Sequence, residues 1–129
     1  MTARRAAFAA AALWPAWAFA CQPALHGRDV QTLEGKRHVV ALRVPAPLPL
    51  SQFFALDLAV CAQDGGRIDP PRVDATMPQH GHGMNYRPTV EPLGEGRYRV
   101  NGMLLHMPGR WQLSIAVGSE TLRLPLVVD

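Results

Sequence analysis

The sequence predicts an all-β domain, an immunoglobulin-like two-sheet β-sandwich of about seven strands. Three observations lead there. Twelve prolines and eleven glycines punctuate the chain. The apolar stretches between them are too short for a long helix. Brief runs of two-residue alternation recur at regular intervals between turn signals.

Taken in order, His38–Val44 is rich in β-branched residues, which suit a pleated surface. Phe53–Ala62 alternates from Leu56, with Leu56, Leu58 and Val60 on one face and Asp57 on the other. Arg72–Met77 is a shorter run, and Thr89–Pro92 follows Pro88. In Arg97–Leu104, Tyr98, Val100 and Gly102 share one face, opposite Arg97, Arg99 and Asn101. Trp111–Val117 sets Trp111, Leu113, Ile115 and Val117 on a single face, and Thr121–Val128 closes the set. Turns are expected at Asp64-Gly65-Gly66, Leu93-Gly94-Glu95-Gly96, Pro108-Gly109 and Gly118-Ser119. Tyr98 and Trp111 then belong to the core. Pro45–Pro49 is an extended spacer inside the domain, and there is no internal repeat.

The first twenty residues have the form of an export signal. Arg4-Arg5 gives a cationic start, Ala6–Trp14 an uncharged apolar run, and Ala18-Phe19-Ala20 a small-x-small cleavage site before Cys21. The run is short of the ~20 apolar residues that span a bilayer. The expected organisation is a signal peptide over 1–20, an N-terminal segment over 21–37 and the sandwich over 38–129. The product is expected in the periplasm or secreted, without a membrane span in the mature chain. Lipid anchoring through Cys21 is the lesser alternative, because Ala18 and Phe19 fit a lipobox poorly.

Residues 21–129, about 110 in number, suffice for one domain and one modest core. The chain holds 13 basic and 10 acidic residues, a formal charge of +3. Arg4 and Arg5 leave with the signal, so the charge falls to about +1 and the basic footprint of a nucleic-acid binder is missing. The two cysteines, Cys21 and Cys61, allow one intramolecular disulfide, at home in an exported protein. Free thiols or a thiolate metal site are the competing fates.

Methionine and histidine are unevenly spread. Apart from Met1, every methionine lies between positions 77 and 107: Met77, Met84, Met103 and Met107. His80, His82 and His106 fall in the same window. Thioether and imidazole together suit copper, methionine favouring the cuprous ion. In the run Met77-Pro78-Gln79-His80-Gly81-His82-Gly83-Met84, side chains two apart share a side if the chain is extended. His80, His82 and Met84 then converge. A hairpin tip at His106-Met107-Pro108-Gly109 is expected to bring His106 and Met107 beside them, while Met103 reads as packing. Copper is the expected ion, with ligands drawn from His80, His82, Met84, His106 and Met107. The alternative is a metal-free module in which the methionines fill the core and the histidines bond backbone. No Gly-x-Ser-x-Gly elbow, phosphate-binding glycine loop or HExxH helix is present, and no enzymatic activity is expected. His26 and His38 read as surface residues.

Two motifs carry a family resemblance: Met77-Pro78-x-His80-x-His82-Gly83-Met84-Asn85-Tyr86-x-Pro88, and Gly96-x-Tyr98, Gly102 and His106-Met107-Pro108-Gly109-x-Trp111. In this order, from about Gln52 to Val128, the chain resembles the YtkA-like, or FixH-like, exported domains. The resemblance implies an immunoglobulin-like sandwich linked to copper handling or to assembly of an envelope or respiratory protein, the expected class of partner. It nominates Met77, His80, His82 and Met84 from one motif and His106 and Met107 from the other.

Overall fold

The computed structural model describes residues 21–129, so the expected signal peptide over 1–20 lies outside the described residues. Nine strands follow one another: β1 (Val30–Glu34), β2 (His38–Arg43), β3 (Phe54–Ala62), β4 (Arg72–Met77), β5 (His82–Gly83), β6 (Thr89–Gly94), β7 (Arg97–Met103), β8 (Gly109–Val117) and β9 (Glu120–Val128). All seven expected strands are present; β1 and the two-residue β5 are additions. No helix among the described residues is long and apolar enough to cross a membrane.

The strands form two antiparallel sheets, β1-β2-β3-β7-β6 and β5-β4-β8-β9. Without β1 and β5 this is the four-against-three order of a constant-type immunoglobulin domain. Alternation along each strand sends one apolar set inward. Trp111, Leu113, Ile115 and Val117 of β8 are all buried, facing Leu56, Leu58 and Val60 of β3 and Val100 of β7. Alternation in β7 breaks near its end. Gly102 is only half-buried and Met103 is fully buried, and the register against β3 shifts between Phe54 and Leu56.

Residues 21–37 are part of this sandwich. Beyond edge strand β1, the leading segment crosses the outer face of the five-stranded sheet. Leu25 packs there on Ala41 and Ala59, a small cluster separate from the main core. Alanine at both positions leaves room for the overlying chain. Cys21 and Cys61 are joined in a disulfide, with Cα atoms 5.9 Å apart; no free cysteine remains among the described residues. Arg43 ties the other end of the segment, its Nε donating to Asp29 at 2.6 Å and its Nη2 to the His26 carbonyl at 3.0 Å.

A second tie joins the sheets. Glu120, at the β8–β9 turn, accepts hydrogen bonds from the backbone N–H groups of Lys36, Arg37 and His38, and its Oε2 lies 2.9 Å from His38 Nδ1. A Cβ on Gly35 would stand 2.5 Å from this carboxylate, so a larger residue there would have to displace it. Burial alone would push the Glu120 carboxyl up, but the His38 bond and the three amides outweigh it and hold the group below its usual 4.5. His38 is therefore not the surface residue expected: its side chain is only 13 % exposed. Its partner lies 82 positions away, beyond any local reading.

Candidate metal centre

The methionine- and histidine-bearing segments meet at the opposite end of the sandwich from Glu120. β4 ends at Met77, and a four-residue turn returns the chain so that Met77 pairs with His82 of β5. The Met77 carbonyl accepts the N–H of His80 at 3.1 Å and of Gly81 at 3.0 Å, and the Met84 N–H donates to Ala75 at 3.1 Å. His80 thus sits on a turn, not in the extended run expected, yet its ring centre remains 5.7 Å from that of His82.

The second segment arrives differently from expectation. β7 and β8 belong to different sheets, so Leu104–Pro108 crosses between sheets instead of forming a hairpin tip. The crossing still delivers His106 to the first segment, its ring centre 5.2 Å from that of His82. The irregular crossing also removes the strand rule that would point His106 and Met107 in opposite directions. His80, His82 and His106 form a row of three rings, the last two set edge-to-face against Trp111 at 5.9 and 5.4 Å. Trp111 is 2 % exposed, and its Nε1 donates to the Met107 carbonyl at 2.9 Å.

The methionines divide. Met77 is 2 % exposed and Met103 fully buried in the main core. A Cβ on Gly109 would stand 3.1 Å from the Met77 methyl, so glycine there admits the thioether. Met84 and Met107 are half-buried at the margin of the core. His80 is exposed, whereas His82 and His106 are half-buried.

One polar atom lacks a partner. His106 Nδ1 is buried and makes no hydrogen bond, alone among side-chain nitrogen and oxygen atoms of the described residues. Leaving such an atom unpaired costs about 1–3 kcal/mol. By contrast, His82 Nδ1 lies 3.3 Å from the Gly83 carbonyl. No group of three His, Cys, Asp or Glu side chains is placed to hold a metal among the described residues. The donors at this end are two neighbouring imidazoles, an exposed third and thioethers. That chemistry fits a soft ion that accepts sulfur and nitrogen, and the unpaired Nδ1 is a donor atom without another use.

Two further features escape a sequence reading. Ser51 braces the crossing segment, its N–H donating to the Leu105 carbonyl at 2.9 Å and its Oγ to the His106 carbonyl at 3.4 Å. Phe53 and Tyr86, both largely exposed, meet edge-to-face at 5.1 Å. These pairs are far apart in sequence, and no local pattern announces them. Compared with known proteins, the chain finds no matching family model, curated protein or solved structure.

Proposed function

We propose that this chain is an exported copper-binding domain that serves copper handling or delivery outside the cytoplasm. The carrying observation is the meeting of His82 and His106, from segments more than twenty residues apart, with His106 Nδ1 buried and unpaired. The likeness of both motifs to YtkA-like and FixH-like domains supports the same reading, as does the disulfide, which suits an oxidising compartment. His82 and His106, with thioethers from Met77, Met84 and Met107 and His80 outside, would hold the ion. Bound copper would supply a soft cation for transfer; the protein's part is to position imidazoles and restrict water. No catalytic step is part of this reading.

The test is cuprous binding by dialysed protein in competition with a chromophoric chelator. Binding near one equivalent is expected, weakened at least tenfold by His82→Ala with His106→Ala and unchanged by His26→Ala. Uptake no greater than background in the unmodified protein would end the copper reading.

A second reading has its own observation. The exposed Phe53–Tyr86 pair and Leu50, 40 % exposed, suit a metal-free module that docks an envelope or respiratory protein during assembly. That reading requires His82→Ala to lower Tm equally with and without copper. A copper-dependent rise in Tm, lost in the variant, would count against it.

A further inference from the structure

The two half-buried histidines present different nitrogens. The Gly83 carbonyl beside His82 Nδ1 can only accept, so Nδ1 carries the proton and Nε2 keeps the lone pair. At His106 it is Nδ1 that is buried without a partner. Two imidazoles bent about one ion at a near-tetrahedral angle, with metal–nitrogen distances of about 2.0–2.1 Å, have centres roughly 5–5.5 Å apart. The observed separation is 5.2 Å. Trp111 lies within 6 Å of both rings, and its bond to the Met107 carbonyl pins the indole. A cation within about 6 Å of an indole centre is attracted by the π face.

Resting on the copper reading, we propose that His82 Nε2 and His106 Nδ1 together hold a soft monovalent cation, with the indole of Trp111 as the wall of the site. Imidazoles and a π face offer no compensating negative charge, which favours a singly charged soft ion over a divalent one. The mixed use of Nε2 and Nδ1 follows from the backbone. His82 is fixed by its own strand carbonyl, whereas His106 rides an irregular crossing on which Nδ1 is buried without a partner. His80, exposed beyond the pair, is not one of the two holding atoms.

Silver(I), a redox-silent stand-in for the cuprous ion, is the probe. The full chain labelled with nitrogen-15 is titrated with silver(I) and followed through ring-nitrogen and indole N–H resonances. One equivalent should shift His82 Nε2, His106 Nδ1 and the indole signal that is absent from Trp111→Phe. Trp111→Phe should weaken silver(I) binding about 3- to 30-fold while both histidine shifts persist. Because Trp111 is a core residue, the indole shift in the unmodified protein reads the wall independently of that variant. Silver(I) bound with shifts at Nε2 of both rings, with shifts confined to His80, or with the indole unmoved would overturn this assignment and leave copper binding standing. Absence of any silver(I) or cuprous uptake would overturn both.

Discussion

Replacing Cys21 and Cys61 together by serine removes the one covalent tie in the fold. The bridge spans 40 positions. Closing a loop of about 40 residues removes roughly 13 cal/mol/K from the unfolded chain, or about 4 kcal/mol at 25 °C. The structure adds a second effect. Without the bridge, residues 21–29 must be held mainly by Leu25 on Ala41 and Ala59 and by the Arg43–Asp29 pair. Burying a leucine contributes about 1.5–3 kcal/mol, whereas ordering nine residues costs roughly 1 kcal/mol each. The segment should therefore detach as well. Urea unfolding should show a stability loss of about 4 kcal/mol and a fall in Tm of roughly 15–25 °C. Trypsin should cut after the exposed Arg28 far sooner in the variant than in the bridged protein. A loss below about 1 kcal/mol, or equal protection of Arg28, would refute the reasoning.

Other expectations concern the two ends of the sandwich. Because the Glu120 carboxyl sits below its usual 4.5, its stabilising effect is present above the unfolded value and lost as pH falls through the folded one. Unfolding from pH 6 to pH 2 should thus show a steeper acid limb for the native chain than for Glu120→Gln; matching limbs would contradict the tie. Met77→Ala should cost about 2–5 kcal/mol by thermal or urea unfolding, as for other buried methionines. Gly109→Ala, at φ of 122° and against the Met77 methyl, should destabilise by more than about 1 kcal/mol. The pair combined should lose less than the sum, since Met77→Ala relieves the crowding; strict additivity in a double-mutant cycle would argue against the contact.

Much of the fold is legible in the sequence because the two-sheet core imposes strict alternation. β8 reads cleanly, since all four of its expected inward residues are buried. β1 does not, because an edge strand with Gln31, Thr32 and Glu34 exposed carries little apolar signal. The Leu104–Pro108 crossing looks like a hairpin until the sheet of each flanking strand is known, and proline-glycine marks a turn without saying which sheet it leads to. At the candidate site, clustering of histidine and methionine in one window picks out segments that the fold brings together. It does not distinguish the buried Met77 from the exposed His80, nor reveal the unpaired nitrogen of His106. Trp111 is legible as core, but not as the side chain against which both rings lie. Such facts depend on which loops share an end of the molecule, and local periodicity carries no record of that.

The strand directions give the molecule a polarity. The disulfide at Cys61 and the Glu120 tie lie near the end where β3 finishes and β8 turns into β9. The His82 and His106 loops occupy the other end, where β4 finishes and β8 begins. Closure of the fold and composition of the histidine-bearing rim are therefore separate matters. Exposed side chains of the rim loops make no contact with the clasp at the far end. A lineage could remodel the exposed rim side chains, such as those of Gln79, His80, Asn85 and Tyr86, without having to reinvent the body that carries them.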